Sequence, residues 1–103
     1  MQTPYYAVIF TNLQTKDIEG YAEMAQSMES LAKTQPGYLG FEYAREEIGI
    51  TISYWKSLDA IANWKAHLDH LKAQKLGKER WYQWYKTRIC KVEREYEFSR
   101  TEP

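Results

Sequence analysis

A single cysteine, Cys90, stands in 103 residues, which excludes an internal disulfide and a cysteine-based zinc module. The histidines are only two, His67 and His70, three positions apart with no cysteine near them, and that is weak metal-ligand spacing. Formal net charge is zero, so no global field draws the chain to nucleic acid or to an acidic membrane surface. No apolar run approaches the length of a membrane span, and the N-terminus has neither the basic nor the continuous apolar region of a secretory leader. These absences predict a soluble, cytoplasmic protein that takes neither membrane nor nucleic acid as a partner. Cys90, set in an alternating apolar run, reads as a buried structural thiol. With five glycines, the chain also lacks a phosphate-cradling glycine loop and a nucleophile elbow.

Aromatic residues, by contrast, make up 16% of the chain. All four tryptophans and both histidines lie between Tyr54 and Tyr85. Trp and Tyr combine a large apolar body with a polar tip that seeks a partner, so this stretch builds either a thick core or a lined pocket. Charge is uneven as well. Met1 to Ile50 has three Lys/Arg against seven Asp/Glu, and Lys65 to Lys91 has eight against two. The plainer reading of the basic half is a solvated helix face; the sharper one is a cationic approach for an anionic ligand.

Tyr5 to Leu13 is β-branched and aromatic and follows Pro4, which predicts a first strand, with Asn12 as a strand-exit residue. Thr15 to Gln35 has a helical period in Ile18, Tyr21, Ala22, Ala25, Met28, Leu31 and Ala32, with Thr15 as cap and Pro36-Gly37 as stop. Tyr38 to Arg45 and Gly49 to Trp55 read as a hairpin joined around Glu46-Glu47. Ser57 caps a second helix whose Trp64 faces inward, and a further helical stretch from Asp69 to about Trp84 contains Gly77 as a bend. Lys86 to Phe98 alternates as a long last strand.

The order is β-α-β-β-α-β with the second helix split, the ferredoxin-like α+β arrangement. One domain over 1–103 is expected, with an ordered core of about 4–98. Helices on one face of the sheet leave an apolar opposite face, so a homodimer is expected. RNA binders share this element order, but their Gly-aromatic strand signature is missing here.

The chain resembles the antibiotic biosynthesis monooxygenase (ABM) domain family over nearly its whole length. The resemblance rests on Tyr54-Trp55-Lys56-Ser57, Ala60-Ile61, Trp64, His70, Ala73-Gln74, Gly77, Arg80-Trp81-Tyr82, Tyr85, the Arg88 to Arg94 strand and the run from Pro36 to Tyr43. It implies a dimeric α+β barrel. It also implies either a cofactor-free oxygenase of a small aromatic molecule or a haem-degrading enzyme. The haem-degrading members have an Asn in strand one, a Trp on the second helix and a His ten residues later. Trp64 matches the Trp, but Gln74 stands at the His position and Ile9 and Phe10 occupy the middle of strand one. Haem is therefore the alternative cofactor, and no cofactor is the first expectation.

Oxygenation of a phenol or quinol requires a base to make the electron-rich anion. His70 is the candidate, and His67 a second pocket imidazole. Trp64, Trp81 and Tyr85 are candidate walls for a planar substrate, against the plainer reading that they are core or interface. Arg80 and Arg88 suit surface ion pairs better than a forked carboxylate contact. A third possibility is a non-enzymatic ligand-binding dimer in which the aromatics only pack.

Overall fold

A computed structural model describes residues 1–69, 75 and 77–101. The elements are β1 (Tyr5–Gln14), α1 (Tyr21–Ala32), β2 (Tyr38–Arg45), β3 (Ile48–Trp55), α2 (Leu58–Asp69), a π-helical turn (Gly77–Trp81) and β4 (Tyr82–Val92). The four strands form one antiparallel sheet in the order β2-β3-β1-β4, as the ferredoxin-like expectation requires. Among the described residues no helix is long and apolar enough to cross a membrane.

Directly paired residues share a sheet face. Tyr6 pairs with Trp55 and Val8 with Ser53, and Tyr6 and Val8 pack on a core of Ala32, Trp55, Ala60, Ile61 and Trp64. The even-numbered side chains of β1 therefore face the helices, and Ile9, Thr11 and Leu13 face the opposite way. Trp55 is fully buried. Its ring lies 5.8 Å from that of Trp64 at 27° and edge-on to Tyr38 at 5.6 Å, and its indole N–H donates to Ser53 Oγ at 2.8 Å. The polar tip is thus satisfied inside the chain while the ring fills the space between sheet and helices.

Several local expectations hold. Ser57 Oγ accepts the Ala60 N–H at 3.1 Å and caps α2. The first helix ends at Ala32, three residues short of the expected Gln35, and Pro36-Gly37 turns the chain into β2: Gly37 adopts φ +87°, and a Cβ there would stand 2.6 Å from the Ala60 methyl, so both conformation and space require glycine. The β2–β3 hairpin turns at Glu46-Glu47 with Arg45 opposite Gly49.

Three expectations are corrected. α1 does not begin at Thr15. Residues 15–20 are held by the π turn instead: the Thr15 N–H donates to the Trp81 carbonyl at 2.8 Å, the Thr15 hydroxyl donates to the Arg80 carbonyl, and the Arg80 guanidinium grips Asp17 at 3.1 and 3.2 Å. Gly20, at φ +83°, then turns the chain into the helix. Ile18 consequently drops out of the apolar stripe and is exposed. Second, the helical stretch does not reach Trp84, because Tyr82 to Tyr85 pair with β1 as the start of β4; expectations on 70–74 and 76 lie outside the described residues. Third, β4 stops at Val92 rather than Phe98. Val92 pairs with Tyr5, the first residue of β1, and beyond it the neighbouring strand has ended. Glu95 is nonetheless held, accepting from the Tyr5 hydroxyl at 2.5 Å, while Tyr96 and Phe98 are exposed.

Because Trp55 joins the sheet to both helices, Trp55→Ala is expected to lower stability by about 3–5 kcal/mol. Urea unfolding of the variant checks this, and a loss below about 1 kcal/mol would show that the indole is not the centre of the core.

Candidate active site

The sequence-predicted residues separate into two groups. Trp64 is buried on Trp55, and the exposed ring of His67 stacks on its other side at 5.9 Å and 18°. This pair sits over the Tyr6–Val8 end of the sheet. Trp81 and Tyr85 lie toward the other end of β1. Trp81 is buried, donates its indole N–H to the Glu19 carbonyl at 3.0 Å, and meets Tyr21 edge-on at 5.5 Å. Tyr85, partly exposed, pairs with Asn12 and lies 5.3 Å from Phe10 and 5.8 Å from Tyr82. Trp64 and Trp81 therefore do not wall one space. His70 lies outside the described residues. Arg80 makes the surface ion pair expected of it, with Asp17, and its hydrogen bonds, with its charge as a smaller cause, hold the Asp17 carboxyl below its ordinary range.

Phe10, Tyr21, Trp81, Tyr82 and Tyr85 form a continuous aromatic cluster through mostly edge-on contacts of 5.3–6.0 Å. Beside it lies Asn12, the one buried polar residue among the described residues and fully out of solvent. Sequence reading placed Asn12 at a strand exit. Instead β1 continues to Gln14, and Asn12 pairs with Gly49 on one side and Tyr85 on the other. Its parity with Val8 and Phe10 was the available signal that it points toward the helices.

Arg45 reaches Asn12 from the far end of β2. The guanidinium crosses β3 above Gly49 and donates from Nη2 to Asn12 Oδ1 at 2.5 Å. Its carbon lies 5.8 Å from the Tyr21 ring centroid, within cation–π range. A Cβ on Gly49 would collide with the guanidinium, so glycine at this position leaves the space through which Arg45 spans three strands. With its oxygen taken by Arg45, the Asn12 carboxamide keeps a buried Nδ2 without a partner among the described residues. Such a donor costs about 1–3 kcal/mol, and that cost is often tolerated where a ligand completes the set. Above Arg45 a cleft of about 470 Å³ opens between α1 and the β2–β3 hairpin, lined by Tyr21, Phe41, Tyr43, Arg45 and Thr51 among others. That volume falls in the range of small-molecule sites.

The aromatic cluster also sets its own ionisation. Burial, and then the Tyr21 hydroxyl at 3.4 Å, push the Tyr82 phenol above its ordinary value. On the opposite face, Tyr54 is pushed up to about 12, chiefly by its hydrogen bond to Glu42 at 2.7 Å.

Comparison with known proteins agrees with this architecture. The antibiotic biosynthesis monooxygenase family model matches residues 4–76. The uncharacterized protein YqjZ of Bacillus subtilis (strain 168) is 47% identical over 96 residues, covering 91% of this chain and 84% of that protein. Among solved structures, SnoaB, a cofactor-independent oxygenase from Streptomyces nogalater, superposes with a TM-score of 0.71 at 11% identity, over 95% of this chain and 100% of its own. A conserved protein from Methanosarcina mazei Go1 gives a TM-score of 0.72 at 14% identity, over 89% and 94%. These two share the fold. The chain is a member of the antibiotic biosynthesis monooxygenase family.

The raised tyrosines predict an alkaline limit on stability. A phenol whose folded value lies above the unfolded value of 10 stabilises the fold fully below about pH 10. That contribution is lost as the pH rises from about 10 toward 12, because the unfolded chain ionises first. Urea midpoints measured between about pH 8 and 11 are expected to fall less steeply in Tyr82→Phe and Tyr54→Phe than in the parent; parallel curves would refute the assignment.

Proposed function

We propose that this chain is an oxygenase of a small planar phenol or quinol-like compound, working without a bound metal or other cofactor. The observation that carries the reading is the buried Asn12, whose carboxamide N–H has no partner among the described residues; it pairs with Tyr85 of the aromatic cluster and is held by Arg45, which lines a cleft of ligand size. A planar ring suits aromatic walls, and Trp81 and Tyr85 belong to that cluster. Trp64 and His67 act at the other end of the sheet, as a core contact and its exposed neighbour.

The chemistry balances without an added reductant. A base removes the phenol proton; the resulting anion passes one electron to O2 and the two radicals combine at a ring carbon. Loss of water from the hydroperoxide leaves the quinone, so one oxygen atom enters the ring and the other departs as water. His70 is assigned the base, an imidazole being suited to take a proton near neutral pH. Asn12 is assigned to hold the substrate oxygen as charge develops on it.

Haem fits the chain less well. Asn12 does stand in strand one, but Gln74 occupies the position where a proximal His would be needed. Trp64 is enclosed by Trp55 and His67.

Oxygen uptake with a panel of naphthols and hydroquinones, in chelator and without haemin, tests the proposal. Turnover is expected with quinone carrying label from ¹⁸O2, reduced about 10²–10⁴-fold in His70→Ala and about 10²–10³-fold in Asn12→Ala. No turnover across the panel would overturn the cofactor-free reading and leave the haem-dependent and the non-enzymatic ligand-binding alternatives.

We further propose that the active form is a homodimer joined through the helix-free sheet face. Ile48, Ile50 and Trp84 are exposed there, in register with Leu13 and Thr11, and so many apolar side chains on one face favour a second copy as cover. Light scattering at micromolar concentration is expected to give twice the chain mass; a monomer would exclude this assembly.

A further inference from the structure

An arginine at the end of an edge strand ordinarily extends its charged head into water. Arg45 instead folds back across Gly49 and is anchored by Asn12. Two acidic residues, Glu46 and Glu47, follow it in the hairpin, yet no carboxylate among the described residues pairs with it; the ion pairs present there involve Met1, Lys33 and Arg80. Glu42 on the same strand is engaged on the opposite face by the Tyr54 hydroxyl. Among the described residues the guanidinium is therefore a cation without a paired carboxylate, over a cleft lined by Tyr21, Phe41 and Tyr43 and, from α1, by Glu29, which pairs with Lys33. It offers five N–H donors, and among the described residues only Nη2 is engaged, by Asn12 and by the Tyr21 hydroxyl at 3.5 Å.

A cross-strand tether would need only the hydrogen bond. This arrangement adds a fixed orientation: Asn12 holds one edge of the fork, and the Tyr21 ring lies against the guanidinium. The cleft beside it has two tilted aromatic rings, Phe41 and Tyr43, 5.6 Å apart. A flat ligand would rest on these rings with its polar edge toward Arg45. Guanidinium forks match paired or partly charged oxygens better than neutral groups do.

We propose that Arg45 is a binding residue that selects planar aromatic ligands bearing an anionic oxygen, a carboxylate or a phenolate, with Asn12 and Gly49 positioning its fork. The proposal deepens the oxygenase reading, since it rests on the cleft receiving a planar aromatic compound. It also gives Arg45 a role in that reaction: a cation at the ring oxygen favours the phenolate over the phenol.

Binding of 1-hydroxy-2-naphthoate and of uncharged 2-naphthol, followed by tryptophan fluorescence near neutral pH, provides the test. The parent is expected to bind the naphthoate at least about tenfold more tightly, with the preference lost in Arg45→Gln and only partly kept in Arg45→Lys. Gly49→Ala supplies an independent variant, because it keeps the charge but denies the guanidinium its seat, and it is expected to lose the same preference. Circular dichroism melts verify that each variant is folded. Equal affinities in the parent, or a preference that survives in Arg45→Gln and Gly49→Ala, would overturn the role of Arg45 and leave the oxygenase proposal standing. Failure of both probes to bind would overturn the two together.

Discussion

The pairing register of β1 with its two neighbours is the constraint on which the rest depends. A slip of one residue would send every side chain of the strand to the opposite face. In the observed register Tyr6 meets Trp55 and builds the core, while Asn12 meets Gly49 and Tyr85 and lies among the groups of the candidate site. One strand thus packs the core at its start and buries a carboxamide at its end. The core end is dry and closed by stacked indoles; the other end holds a buried carboxamide reached by a guanidinium from two strands away.

The segment between β1 and α1 shows tertiary structure overriding local preference. Thr15, Asp17 and Glu19 are what the first turn of a helix favours. Here the same groups find partners in the π turn, where Arg80 offers a charged fork and both Arg80 and Trp81 offer free carbonyls. The Trp81 indole completes the joint on the Glu19 carbonyl. That joint fixes the entry of α1, hence the position of Tyr21, and Tyr21 connects the aromatic cluster to Arg45. A π turn at such a point fits the frequent placement of π-bulges near functional sites.

Membership of the family fixes less of the chemistry than of the fold. Structures at 11–14% identity share the architecture, and one architecture hosts many sites. The distinguishing features of this chain are particular side chains laid on it. Arg45 gains its reach only because position 49 has no side chain, and Asn12 gains its orientation only because Arg45 takes its oxygen. The three positions behave as one device, and each alone looks ordinary.

Alternation, helical period and capping residues were local enough to read directly. The strands at Tyr38–Arg45 and Ile48–Trp55, the Ser57 cap and the inward Trp64 were legible because each depends on residues within a turn or a strand of itself. The site was less legible. Trp64 and Trp81 are both large, buried aromatics in one stretch, and nothing local says that they lie at opposite ends of a sheet. Asn12, Arg45, Gly49 and Tyr21 are scattered over 38 positions of sequence; only strand pairing makes them neighbours. The sequence by itself determined the element order and the apolar faces, since periodicity is a property of consecutive residues. Which polar groups meet was decided by tertiary structure alone, because hydrogen bonds across strands depend on a register that consecutive residues do not encode.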